Sequence, residues 1–154
     1  MTKTSHKTGT DRIAEVSKKL KYAIAMDIQG DFPFVDPKNI SRLIKFHLSN
    51  NFDIVVPSSP ISEKDAKFKD VVKLVSTNDN KVVYFSRSII PNPYKEKPKF
   101  YLKHMSIISF SKKSLEVFSK LNEGIIEKYE GIELMRALEN NLRVGTFKID
   151  KDIF

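Results

Sequence analysis

The chain has 154 residues, with 27 Lys and Arg against 19 Asp and Glu. This formal charge of +8 suits anionic partners such as nucleotides, phosphates, sugar acids or nucleic acid, although the scatter of the lysines favours a plain solvated surface. The absence of Cys excludes disulfides, a thiolate nucleophile and cysteine metal sites. No apolar run is long enough to span a bilayer and no signal segment opens the chain, so it reads as a cytoplasmic protein. A single domain over residues 1–154 is expected, with 11 Phe to build its core.

Met1 to Lys7 lacks apolar periodicity and reads as a loop. Thr8-Gly9-Thr10-Asp11-Arg12 opens a helix on which Ile13, Val16 and Leu20 recur at helical spacing, with Thr10 or Asp11 as its cap. Backbone N–H groups beside a glycine at a helix start attract anions, although an ordinary capped helix reads the same way. From Tyr22 the chain turns apolar, and Ala23-Ile24-Ala25-Met26 with Ile28 reads as a buried, central, parallel strand. The run closes on Gln29-Gly30-Asp31 and Pro33, where glycine permits a sharp turn or the close approach of a ligand. A carboxylate at the end of a central strand lies where open α/β sheets bind ligands; a local turn cap is the alternative for Asp31.

Asp36-Pro37 starts a second helix with the apolar stripe Ile40, Leu43, Ile44 and Leu48; His47 on that stripe reads as a packed histidine. Phe52 to Val56 is a short strand ended by Pro57, and Ser58 to Lys69 is a loop with at most a helical turn. Val71 to Val75 and Lys81 to Phe85, flanking Thr77-Asn78-Asp79-Asn80, form an antiparallel hairpin that delivers Ser86-Arg87 to its far end. A lysine-bearing loop with Pro91, Pro93 and Pro98 follows. Phe100 to Phe110 then returns as one strand with His104 in its middle. Leu115, Phe118 and Leu121 mark a helix, Glu130 to Asn141 a better one, and Leu142 to Ile149 a last strand. Strands alternating with helices before an antiparallel excursion predict a mixed α/β sheet covered by helices. No dinucleotide-binding glycine motif, P-loop, H-E-x-x-H or nucleophile elbow is present.

Taken in order, these segments resemble the CMP-KDO synthetase (3-deoxy-manno-octulosonate cytidylyltransferase) family. His6-Lys7-Thr8-Gly9-Thr10-Asp11-Arg12-Ile13-Ala14-Glu15 resembles its H-x-S-G-T-D/E-R-x-A-E segment, and Ile28-Gln29-Gly30-Asp31-Phe32-Pro33 its V-Q-G-D-E-P. Val72-Lys73-Leu74-Val75 and Tyr84-Phe85-Ser86-Arg87-Ser88-Ile89-Ile90-Pro91 resemble V-K-V-V and Y-F-S-R-x-x-I-P. Lys103-His104-Met105-Ser106-Ile107 and Glu133-Leu134-Met135-Arg136-Ala137-Leu138-Glu139-Asn140 resemble K/R-H-x-G-I and E-Q-L-R-A-L-E-N. The resemblance implies a three-layer α/β/α sandwich of nucleotide-diphospho-sugar transferase type, with a mixed, mostly parallel sheet incomplete at both ends. It implies transfer of CMP from CTP to KDO, releasing pyrophosphate, in lipopolysaccharide or surface-polysaccharide synthesis. By the same resemblance Asp31 is a Mg2+ ligand and, with Gln29, a catalytic residue. Thr8, Gly9, Thr10 and Arg12 line the nucleotide side. Gln29 also contacts substrate, Arg87 faces the sugar-acid carboxylate, and His104 and Glu133 bind sugar hydroxyls.

Five residues depart from the pattern: Phe32 stands for a glutamate, Ser106 for a glycine, Ile108 and Ser109 for a tyrosine and a glycine, and Leu134 for a glutamine. Ile108 and Leu134 would remove two polar contacts to the sugar. Nothing matches the family's P-A-R-x-x-S-x-R-x-P-x-K loop or its V-D-T-P-E-D segment, so the chain alone is expected to be inactive, with no detectable CMP-sugar formed. The expected partners are CTP and a KDO-like sugar acid, without nucleic acid or membrane span, with a homodimer as one option for assembly. Another ulosonic (sialic-type) acid is one alternative substrate. A basic nucleotide- or nucleic-acid-binding module, stacking bases on the aromatics from Tyr94 to Tyr101, is an alternative function.

Overall fold

The structure is a computed structural model that describes residues 2, 6, 8–29 and 35–149. In chain order its elements are α1 (Gly9–Ser17), β1 (Ile24–Ile28), α2 (Pro37–Ser49), β2 (Ile54–Ile61), α3 (Glu63–Ala66), β3 (Lys73–Ser76), β4 (Val82–Ser86), β5 (Tyr101–His104), β6 (Ile107–Ser111), α4 (Lys112–Phe118), α5 (Ile125–Glu130), α6 (Met135–Glu139) and β7 (Val144–Lys148). No helix among the described residues is long and apolar enough to cross a membrane.

The strands form one sheet in the order β1-β6-β2-β5-β3-β4, with β7 along the other side of β2. Alternation along β2 and β6 divides the core in two. Ile54, Val56, Ile108 and Phe110 pack against Ala14 of α1, Leu115 and Phe118 of α4, and Met135 and Ala137 of α6. Val55 and Ile107 face the opposite way, against Leu43 of α2. Helices therefore cover both faces, as the three-layer expectation requires. The sheet is mixed, but its balance differs from the expected mostly parallel one. Five strand pairings are antiparallel, and only β2 with β7 is parallel among the described residues.

The expected single strand from Phe100 to Phe110 is present in two pieces on one side of β2. Ser58 pairs with His104 and Val55 with Ser109, so three steps along β2 match five along its neighbour. The two additional residues are Met105 and Ser106, which bulge out of the ladder. His104 consequently ends a strand instead of lying in its middle. The bulge also separates the next layer of strands: β1 pairs with β6 on one side of it and β3 with β5 on the other.

β1 itself departs from the expected buried, parallel, central strand. It pairs antiparallel to β6, is half-buried along most of its length, and lies at the edge of the described sheet. Its covering helix shows the same incompleteness. Ala14 and Ser17 of α1 are buried, whereas Val16 (48% exposed) and Leu20 (57%) lie in an apolar groove with Ile13, Tyr22, Ile24 and Ala25. The cap of α1 is Thr8, neither Thr10 nor Asp11: its Oγ1 accepts from the Asp11 N–H at 3.2 Å, while the Asp11 carboxylate accepts from the Thr8 N–H at 3.3 Å.

Three further expectations shift. β2 does not stop at Pro57 but continues to Ile61, burying Ser58 and Ser59. Pro57 falls where the partner of β2 changes from β6 to β5, and Pro60 lies beyond Ser58, the last residue β7 covers, so neither missing N–H interrupts a ladder. The expected helix from Glu130 to Asn141 is shorter, α6 over Met135–Glu139, because Gly131 adopts the left-handed conformation (φ 61°) and ends a preceding helix, α5, that the sequence did not suggest. The α4 helix ends at Phe118, short of Leu121. By contrast, α2 begins with Asp36 as cap and Pro37 at its first position, as read. His47 is the expected packed histidine, bonded through Nδ1 to Ser109 Oγ (2.7 Å) and through Nε2 to the Phe52 carbonyl (3.2 Å).

Candidate sugar-acid site

The bulge that splits the sheet also opens a cavity. β1 arrives at it from one direction, and the Gln29 N–H reaches the Ser106 carbonyl at 3.5 Å. β3 departs on the other side, where the His104 N–H donates to the Val72 carbonyl at 2.8 Å. Between them lies a polar pocket of roughly 350 Å³. Its wall brings together Gln29, Arg87, His104 and Glu133, four residues that the sequence reading assigned to substrate. Asp70 and Ser106 add polar groups, and Ile108 and Leu134 contribute aliphatic surface.

Each residue reaches the pocket for a local reason. Arg87 is the first residue beyond β4. Its Nε donates to the Glu130 carbonyl (2.8 Å), one terminal nitrogen to the Lys69 carbonyl (3.1 Å) and the other to the Gly131 carbonyl (3.1 Å). A guanidinium has five N–H groups, so these contacts leave one on each terminal nitrogen for a ligand. The left-handed turn at Gly131 places two of the accepting carbonyls. Glu133 follows that turn and bonds back to the start of the chain: Thr10 Oγ1 donates to its Oε2 at 2.9 Å, and the Thr8 side chain favours the charged form of the same carboxylate. Thr10 is buried by this contact, so the nucleotide-side segment and the sugar-side segment join at Glu133.

The electrostatics of the pocket are set by desolvation. Burial, reinforced by the neighbouring Lys103, lowers the pKa of His104 to about 4, so the ring is neutral at pH 7. Although part of the residue forms pocket wall, its Nδ1 is buried and has no partner. The ring edge packs against Phe85 at a centroid distance of 5.7 Å. Burial raises the pKa of Glu133, against the opposing pull of Thr10, Thr8 and Arg136, and its Oε1 is likewise buried and unpartnered. Two buried polar atoms without partners, on the wall of one pocket, are a cost that a bound hydroxyl-bearing ligand removes.

Other expected site residues lie elsewhere. Gly9 opens α1, and a Cβ added there would sit 3.7 Å from Asp27 Oδ2. Arg12 lies along the apolar groove, reaching Thr2 Oγ1 at 3.4 Å, and does not line the polar pocket. Asp31, the expected metal ligand, lies outside the described residues. Among the described residues no group of three or more His, Asp and Glu could hold a metal ion. Sequence reasoning passed over Asp70, Lys73 and Glu130. The V-K-V-V match carried Lys73 without assigning it a task, and only its lysine inside an apolar strand signalled one.

A helix-covered mixed sheet, with a polar pocket at the ends of its strands, is an architecture of sugar-nucleotide transferases. The chain belongs to the cytidylyltransferase family, whose sequence pattern matches residues 1–151. It is similar to 3-deoxy-manno-octulosonate cytidylyltransferases of Rickettsia rickettsii (34% identical over 149 residues, 93% of this chain and 59% of the relative) and Rickettsia canadensis (34% over 145 residues, 90% and 57%). Its fold matches a solved CMP:2-keto-3-deoxy-manno-octonic acid synthetase, determined in complex with CTP. The TM-score is 0.93 at 30% identity, covering 98% of this chain and 63% of that one. The chain thus spans under two thirds of the length of these relatives.

Proposed function

We propose that the chain acts as the sugar-acid-binding part of a cytoplasmic cytidylyltransferase that transfers CMP from CTP to KDO, in surface-polysaccharide synthesis. The observation that carries this reading is the pair of unpartnered buried atoms, His104 Nδ1 and Glu133 Oε1, in a pocket that also presents the free N–H groups of Arg87. A sugar acid matches both features: hydroxyls donate to the two acceptors, and a carboxylate accepts from the guanidinium. Neutral His104 accepts at Nδ1 with its proton on Nε2, so the depressed pKa suits the role.

In the proposed reaction a sugar hydroxyl attacks the α-phosphorus of CTP. A C–O–P bond forms as the hydroxyl gives up its proton to solvent, the bond from the α-phosphorus to the oxygen it shares with the β-phosphate breaks, and pyrophosphate leaves with that oxygen. The residues of this pocket orient the acceptor; no covalent intermediate on the protein is needed. Mg2+ belongs to the same reading, as neutraliser of phosphate charge, and Asp31 is its proposed carboxylate ligand.

A base-stacking module is less well supported. Tyr94 is 88% exposed and Phe100 41%, but Tyr101 is buried and Phe100 packs under Lys148, so the aromatics form no continuous platform. Calorimetric titration tests the reading. KDO is expected to bind the wild-type chain, and His104→Phe to weaken it about threefold to tenfold by removing one hydrogen bond. Equal affinity in the two proteins would remove His104 from the site.

A further inference from the structure

We infer that Lys73 is a positioning residue of the pocket: its buried ammonium gathers three backbone carbonyls and thereby sets where Arg87 stands. For its ligand this inference rests on the sugar-acid reading above; for its geometry it rests on Lys73 alone.

Lys73 opens β3 and has no exposed surface. A buried ammonium is costly unless every N–H is used. Here all three are: Nζ donates to the carbonyls of Phe68 (3.0 Å), Val71 (2.6 Å) and Arg87 (2.6 Å). A neutral amine has two N–H groups and a lone pair, and that lone pair would face a carbonyl oxygen. The arrangement therefore fits the charged form, although burial and the Arg87 guanidinium pull its pKa down while Glu130 pulls it up.

The three carbonyls are not scattered. Phe68 and Val71 bracket Asp70, which lines the pocket, and the third belongs to Arg87 itself. Arg87 donates to the same segment from its other side, at the Lys69 carbonyl. Segment 68–71 is thus held between one cation behind the pocket and another on its wall. Glu130 completes the frame: its carboxylate accepts from the Arg87 N–H at 3.0 Å and from Ser86 Oγ at 2.9 Å. Lys73 does not line the pocket, so its effect on a ligand passes through Arg87. Without the ammonium, the Val71 and Arg87 carbonyls lose this donor while the Phe68 carbonyl keeps the Val71 N–H (3.2 Å), segment 68–71 repacks, and the Lys69 anchor of the guanidinium moves with it.

The absence of Cys makes a clean test available. Lys73→Cys, alkylated in denaturant with 2-bromoethylamine and refolded, restores an ammonium at nearly lysine length. Alkylation with 1-bromopropane gives the same shape without charge. Two quantities are read: hydrogen-exchange protection of the Arg87 Nε–H by nitrogen-15 NMR, which needs no ligand, and the Kd for KDO by calorimetry. The aminoethyl form should match wild type in both. The propyl form should keep its core methyl resonances but lose about tenfold in each, the cost of one buried carbonyl without a donor. A propyl form with wild-type protection overturns the inference. If that form does not fold, Lys73→Met, which has no donor, is read the same way, and wild-type protection in it is equally fatal. If wild type itself fails to bind KDO, the sugar-acid reading falls, while the protection measurement still decides the role of Lys73.

Discussion

His104 ties pocket chemistry to fold stability through its titration. In the folded chain its pKa is held to about 4 by burial beside Lys103; in the unfolded chain it returns to the ordinary 6.5. The folded state holds the neutral ring, so the contribution of this group is fully present above pH 6.5. It is lost as the pH falls toward 4, because only the unfolded chain gains the proton. Linkage puts the loss at about 2 kcal/mol by pH 5 and about 3 kcal/mol by pH 4, upper figures because water in the pocket screens the charge. His104→Gln replaces the ring with a side chain that does not titrate. Urea unfolding of both proteins at pH 7 and pH 5 provides the assay, and subtracting one from the other cancels the carboxylates they share. Wild type should lose about 2 kcal/mol more than the variant over that interval, which is more than a tenfold change in the folding equilibrium. Curves that fall in parallel would show that His104 is solvated in the folded chain, and the argument from its unpartnered Nδ1 would fail with it.

The buried Glu127–Arg136 pair, with contacts of 2.6 and 2.8 Å, should make Glu127→Gln cost about 3–5 kcal/mol by denaturant unfolding, because Arg136 is left charged and unpaired. Gly145 in β7 leaves no room for a side chain: a Cβ there would lie 2.3 Å from the Phe52 ring, so Gly145→Ala should lower stability by about 1–3 kcal/mol in the same assay. If Asp31 holds the divalent ion, Mn2+ should broaden the amide signal of Gln29, two residues away, and Asp31→Asn should remove most of that broadening; undiminished broadening would move the ion elsewhere.

Much of this site was legible because its residues are short-range signals. Arg87 follows a hairpin whose turn residues are plain in the sequence, and Glu133 and His104 come in motifs with fixed spacing. The features that shape the pocket are not of that kind. The Met105–Ser106 bulge arises because one continuous strand serves two registers against β2, a pairing that no local pattern encodes. The late start of α6 is hidden because Gly131 stands at the head of an otherwise good helical pattern, where one glycine carries little weight against three packed apolar residues. The parallel reading of β1 came from its apolar run. That run states how hydrophobic the strand is, but not the direction of its neighbour, which is set by the return of the chain through β6. Lys73 carried no sign of its partners beyond being a lysine inside an apolar strand, because those partners are backbone carbonyls.

The central claim is that one pocket, between Arg87, His104 and Glu133, takes a sugar acid. Titrating the isotope-labelled 154-residue chain with KDO and following backbone, arginine Nε–H and histidine-ring resonances tests it directly. The account predicts saturable shifts at Gln29, the Arg87 Nε–H, the His104 ring and Glu133. No shifts at millimolar KDO, or shifts confined to the exposed loop around Tyr94, would contradict it.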